Sequence, residues 1–444
     1  MGKFAECKWR LSGKLIVNFV STRGSTKYSF EDVLTKGIAD DGGLFIPTKL
    51  PKFNSTDFHQ DLCLQSIAQR FLLPFFESSS LERDINEIVD EAFSFPIPTE
   101  NISSGYSIME LFHGPTAAFK DVGAGFLASC LSRLNANQSS PLIVLVATSG
   151  DTGGAVAAAF DELPNVRVVV LFPEGKVSKR QEKQLTCWGN NILSLSVKGT
   201  FDDCQKIVKE AFIDSELTND YRFSSANSIN FGRLLPQSVY YAYSSLRHFR
   251  AKGVKPNYII PTGNLGNGLA CILARDMGLP IGDIVLTVNE NKLIVDYLMG
   301  EGWEPKKSIE TLANAMDVGN PSNMERLNSL YGDVKNLNKC IRAITVSDNM
   351  IKQEIKRSFE KEQLILCPHT ATATHAYHHL SVANKENKDW IIVATAHPAK
   401  FETVVEPLIA CDVPIPMELA AILDKPSQMQ KINASMSEFK DILN

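Results

Sequence analysis

The stretch Leu142-Ile-Val-Leu-Val-Ala147-Thr148-Ser149-Gly150-Asp151-Thr152-Gly153-Gly154-Ala-Val-Ala-Ala-Ala-Phe160 decides the fold class. Its apolar run reads as a buried strand, the polar glycine-containing segment as a tight loop, and the small apolar residues after it as a helix. A strand that turns through such a loop into a helix leaves free backbone amides at the positive end of the helix dipole, where a carboxylate is well held. Comparable apolar runs recur at 167–172, 192–197, 258–260, 284–288 and 390–394, with helical patterns between most of them. Parallel strands need long crossovers and cover on both faces, so this rhythm predicts an α/β protein with parallel sheets flanked by helices.

The chain has 444 residues, more than one ordinary core, so a cleft between domains is available. Its 45 basic and 50 acidic side chains leave a net charge of −5, which points to no nucleic-acid partner, and no apolar run is long enough for a membrane span. Nine scattered cysteines, none in a C-x-x-C pair, read as reduced thiols of a cytoplasmic protein. The first residues are basic (Lys3, Lys8, Arg10, Lys14, Arg23, Lys27 against Glu6), in the manner of a transit peptide, but the apolar run 15–20 is too short for a secretory core. Residues 28–95 differ from the rest: helical patterns at 30–38, 58–71 and 81–93 predict a mostly helical N-terminal unit, ended by Pro96 and Pro98.

Three further segments carry chemistry. Glu110-Leu-Phe-His-Gly-Pro-Thr-Ala-Ala-Phe-Lys120-Asp121 ends at a lysine that opens a helix, since Val122, Phe126, Cys130, Leu131 and Leu134 recur at helical spacing. An ammonium is disfavoured at a helix N-terminus in an apolar setting, so Lys120 is expected to be a neutral amine able to form a Schiff base. Gly263-Asn264-Leu265-Gly266-Asn267-Gly268 lies between an apolar run and a helix, an arrangement that presents amides to a phosphate. It has neither the Walker lysine nor the dinucleotide glycine spacing. Ser228-Ile-Asn230-Phe-Gly-Arg233 offers a hydroxyl, an amide and a guanidinium whose planar fork matches an oxyanion. Each segment alone reads more readily as a surface lysine, a turn or an ion pair.

In this order the segments resemble the threonine synthases among the fold type II pyridoxal phosphate enzymes, from about Ser21 to Lys400. The resemblance implies a tryptophan synthase β-like fold of two parallel-sheet domains with helices on both faces, plus a mostly helical N-terminal domain. The expected division is 17–97 for that N-terminal domain, 98–410 for the catalytic domain with a small subdomain at about 125–245, and 411–444 for a C-terminal helical tail. It makes Lys120 the cofactor lysine and acid–base group, and the loop Gly263, Asn264, Leu265, Gly266 and Asn267 the seat of the cofactor phosphate. Asp151 would stand at the cofactor's 3-hydroxyl and Thr370, in Cys367-Pro-His-Thr370, at its pyridine nitrogen. Thr148, Ser149 and Thr152 would grip the substrate carboxylate, and Ser228, Asn230 and Arg233 its phosphate. His369 is read as structural, and His397, in Ala394-Thr-Ala-His397-Pro-Ala-Lys400, receives no role. Asn289-Glu-Asn-Lys292 departs from the Asn-x-Asn-Asp pattern common in the family.

The implied reaction turns O-phospho-L-homoserine and water into L-threonine and phosphate, with pyridoxal 5'-phosphate as cofactor. The same residues could serve a phospho-lyase releasing 2-oxobutyrate, and a non-catalytic metabolite- or partner-binding descendant is the third reading. Oligomeric state is not legible.

Overall fold

The computed structural model describes residues 16–58, 63–102, 105–189, 191–386 and 388–443. Cys7 and the basic residues Lys3, Lys8, Arg10 and Lys14 lie outside the described residues, as do 59–62 within the stretch expected to be helical.

Two sheets frame the molecule. The larger has six strands in the order Arg342–Thr345, Ile284–Val288, Asn257–Pro261, Trp390–Ala394, Tyr106–Glu110, Thr99–Ile102, all parallel except the last pair. The smaller has five parallel strands, Gln430–Asn433, Ile192–Lys198, Val166–Pro173, Leu142–Ala147 and Arg222–Ser225. Both sides of Leu142–Ala147 and Trp390–Ala394 are covered, and all of their residues are buried, as unbroken apolar strands require.

Ahead of these sheets, the short antiparallel pair Phe19–Ser21 and Phe45–Pro47 accompanies the helices Phe30–Lys36, Leu64–Phe76 and Ile85–Ala92. Their phenylalanines (Phe19, Phe30, Phe75, Phe76) stack on one another and reach Phe126 of the helix begun by Lys120 and Phe231 beside Arg233. The end of the chain is not purely helical. Gln430–Asn433 extends the small sheet because Ile432 is the one buried residue of a strand whose other side chains face solvent, a pattern too short to register in sequence.

Candidate active site

Lys120 opens the helix Lys120–Asn135, and the turn before it is stapled to the loop after Trp390–Ala394. Phe119 N donates to Thr395 O at 2.8 Å and His397 N to Ala117 O at 3.0 Å, around an antiparallel bridge between Ala118 and Ala396. Asp121 locks the same turn by accepting from Thr116 N at 3.0 Å and from the Thr116 hydroxyl. Burial pushes the Lys120 ammonium down to about 8; Asp151 opposes that shift, and the cations Lys400 and Arg233 reinforce it.

Asp151 begins the helix Asp151–Phe160, after a loop shaped by Thr148, whose Oγ1 accepts from Gly150 N and Gly153 N, each at 2.9 Å. Gly150 has φ +131°, and a Cβ there would come within 2.6 Å of the Gln181 side chain. Gln181 needs that space, because its Nε2 donates to Asp151 Oδ1 at 3.0 Å. The second partner of Asp151 was missed in sequence: Lys400 Nζ lies 2.8 Å from Asp151 Oδ1 and donates to Thr116 O at 2.7 Å, fully buried. Burial alone would raise the Asp151 carboxyl; the Lys400 and Lys120 cations outweigh it and hold the group well below the usual carboxylate range.

The loop 263–268 enters the helix Gly266–Asp276. A Cβ on Gly263 would sit 2.6 Å from Met316 Cα, so only glycine lets these two backbones approach. Leu265 adopts a left-handed φ of +63°, at a cost on the order of 1 kcal/mol, with its side chain anchored in the core. Asn264 Nδ2 donates to Ser228 Oγ at 2.6 Å. Asn267 Oδ1 accepts from both Tyr240 and Tyr241, at 2.9 and 2.6 Å, which fixes the amide and leaves its buried Nδ2 without a partner.

The residues expected at the substrate phosphate divide. Ser228 and Arg233 line the same cleft as Lys120, and Arg233 Nε is buried without a partner while its other nitrogens reach Ala226 O and Lys120 O. Burial lowers the Arg233 guanidinium to about 10, still a cation at neutral pH. Asn230 is a correction. Its side chain caps the helix Phe231–Leu234 and donates to Leu34 O and Ser225 O at 3.0 and 2.9 Å, so its amide is committed to backbone away from the cleft.

His369, read from sequence as structural, lines the cleft: Nε2 accepts from Ala315 N at 3.1 Å, and burial pushes the imidazole down to about 4, so it is neutral. Thr370 follows it in the first turn of the helix Pro368–His378, with Oγ1 3.2 Å from Cys367 Sγ. His397 caps the turn Pro398–Phe401 that carries Lys400. Lys292, the departure from the family pattern, pairs with Asp296 at 3.1 Å, while Asn289 and Asn291 hold the 309–317 segment that brings Ala315 and Met316 to the cleft.

Lys120, Thr148, Ser149, Asp151, Thr152, Ser228, Arg233 and residues 263–267 thus face one cleft, together with His369 and Gln237. It continues past Phe201, Gln205 and Asn227 into a wider opening of about 1520 Å³. Comparison with known proteins decides the family. The model described as pyridoxal-phosphate dependent enzyme matches residues 102–396, that for the threonine synthase N terminus 18–93, and that for the threonine synthase C-terminal region 370–443. The chain belongs to the threonine synthase family of pyridoxal phosphate enzymes. The threonine synthase of Buchnera aphidicola subsp. Acyrthosiphon pisum is 38% identical over 420 residues, covering 94% of this chain and 96% of that one. The crystal structure of the Escherichia coli threonine synthase superposes with a TM-score of 0.88 at 34% identity, covering 96% of this chain and 99% of that one. The pyridoxal phosphate-bound threonine synthase of Brucella melitensis gives a TM-score of 0.88 at 29% identity, covering 96% and 98%.

The residues present fit this family's cofactor. A lysine biased toward the neutral amine and a glycine loop at a helix N-terminus line one cleft with Asn267, whose buried Nδ2 is left without a partner, a donor set suited to an aldehyde-bearing phosphate. Among the described residues no helix is long and apolar enough to cross a membrane.

Proposed function

We propose that the protein converts O-phospho-L-homoserine and water into L-threonine and inorganic phosphate. The reading is supported above all by the convergence of Lys120, the 148–152 loop and Arg233 on one cleft, in a chain that matches threonine synthases along nearly its whole length. When bound, pyridoxal phosphate supplies an electron sink for the substrate's α-carbon. We assign its phosphate to the amides of Gly263, Asn264, Leu265, Gly266 and Asn267, its 3-hydroxyl to Asp151, and its ring nitrogen to Thr370.

Lys120 is the group that takes the α proton and moves a proton at the β carbon. An amine near pH 8 suits both duties, because it is neither too weak a base nor locked as an ammonium. The amides of Ser149, Asp151 and Thr152, which Thr148 Oγ1 does not engage, orient the substrate carboxylate, with the Ser149 and Thr152 hydroxyls beside them. Arg233, a buried cation lining the cleft, and Ser228 hold the substrate phosphate, which leaves from the γ carbon before water adds at the β carbon. The division into 17–97, 98–410 with an inserted part at about 125–245, and a C-terminal tail remains our proposal for the domains, and the scattered free cysteines support a cytoplasmic location. Incubation of the purified protein with phosphohomoserine tests the function: threonine is the expected product, whereas 2-oxobutyrate and ammonia in its place would assign it as a phospho-lyase.

A further inference from the structure

Lys400 has no place in the reaction just described, yet a fully buried lysine is costly unless it is paired. Its Nζ lies 2.8 Å from Asp151 Oδ1 and 2.7 Å from Thr116 O, and Thr116 belongs to the turn that ends at Lys120. The backbone staple between 117–119 and 395–397 fixes that turn against the loop carrying Lys400. Two lysines therefore compete for one buried carboxylate. Lys400 wins it: among the described residues Lys120 Nζ forms no ion pair.

We propose that Lys400 is a positioning residue that occupies Asp151 as its permanent counterion, so that Asp151 cannot capture the Lys120 amine as an ammonium. This deepens the reading of Lys120 as the cofactor lysine and rests on it. The charged and titratable groups that act on the pair are Lys120, His369, His397, Cys367 and the buried Asp121, with Arg233 acting on Lys120. His369 and His397 are neutral and Asp121 is itself an acid, so none of them substitutes for Lys400 as a cation. Without Lys400, Asp151 has only Lys120 left as a cationic partner of comparable reach. The lysine would then be held protonated, and a protonated amine can neither attack an aldehyde nor take a proton.

The test reads the amine directly in cofactor-free protein. Lys120 is labelled with an amine-reactive reagent at pH 7 and its modification rate followed by peptide mass spectrometry. Lys400→Met should slow labelling of Lys120 by roughly tenfold, the effect of raising its pKa by one unit. Asp151→Asn, which leaves Lys400 unpaired beside the amine, should label at least about threefold faster than wild type. The double variant Asp151→Asn/Lys400→Met carries neither charge and should fall back near the wild-type rate. If Lys400→Met does not fold, Lys400→Gln, which can still donate to Thr116 O but carries no charge, takes its place and should likewise slow labelling. Unchanged labelling of Lys120 in the folded Lys400 variant, or no recovery when Asp151→Asn is added to it, would overturn the proposal. The identity of the cofactor lysine is separately decided by borohydride reduction of the holoenzyme and peptide mapping, so failure of one reading is distinguishable from failure of the other.

Discussion

At the scale of single residues, the amine of Lys120 is the quantity on which the account turns. Its pKa is depressed to about 8 by burial, so the neutral fraction grows as pH rises and levels off above that value. Uptake of pyridoxal phosphate by the cofactor-free protein should accordingly accelerate from pH 6 to about 8 and then flatten, as followed by the growth of visible absorbance. A rate that keeps rising toward pH 10.5, the value of a free lysine, would place the reactive amine elsewhere. Lys120→Ala should fold and lose turnover by at least 10²- to 10⁴-fold, the typical worth of positioned acid–base transfer alone. Arg233→Leu should lower kcat/KM for phosphohomoserine by roughly 30- to 1000-fold, since a charge-assisted contact is worth about 2 to 4 kcal/mol. Arg233→Lys should recover only part, because a point charge cannot reproduce the fork. Unchanged steady-state kinetics in Arg233→Leu would move the phosphate site away from this residue.

At the scale of elements, the loop 263–268, to which we assign the cofactor phosphate, is held by what lies behind it. The helix Gln237–Lys252 supplies the two tyrosines that orient Asn267, and the segment around Met316 presses on Gly263 from the other side. In Gly263→Ala the new methyl meets backbone at 2.6 Å, which cannot swing aside as a side chain would. We expect a loss of about 1 to 3 kcal/mol in thermal or denaturant unfolding of the cofactor-free protein, together with weaker cofactor binding by titration. Wild-type stability and affinity in that variant would mean that the loop tolerates displacement. The sequence made this element legible because strand, glycine loop and helix follow one another locally. Its buttress was not legible: Tyr240, Tyr241 and Met316 are ordinary apolar or aromatic positions until the fold brings them to Asn267 and Gly263.

At the scale of the whole molecule, the buried strands were read at their true limits where apolar runs are continuous, as at Leu142–Ala147, Ile284–Val288 and Trp390–Ala394. Arg222–Ser225, Arg342–Thr345 and Gln430–Asn433 escaped because edge strands are short and half exposed, and carry no period that distinguishes them from loop. The same limit applies at the site. Lys120, Asp151 and the 263–267 loop announce themselves by local context, whereas Lys400 is one lysine among many until a distant carboxylate is found against it.

The tail strand has a measurable consequence, since Ile432, Phe439 and Leu443 complete the core beside Ile192–Lys198. Removing 426–444 should expose that strand's edge, lower the melting temperature and promote self-association detectable by light scattering. A monodisperse truncated protein with the wild-type melting temperature would show that the tail is dispensable.

The central claim is that the cleft breaks the carbon–oxygen bond of a phosphorylated amino acid and delivers water to the neighbouring carbon. Turnover of phosphohomoserine in water enriched in heavy oxygen, with mass spectrometry of both products, tests it most directly. The account predicts threonine carrying one solvent oxygen in its hydroxyl and phosphate carrying none. Label in the phosphate, with unlabelled homoserine as its co-product, would contradict it.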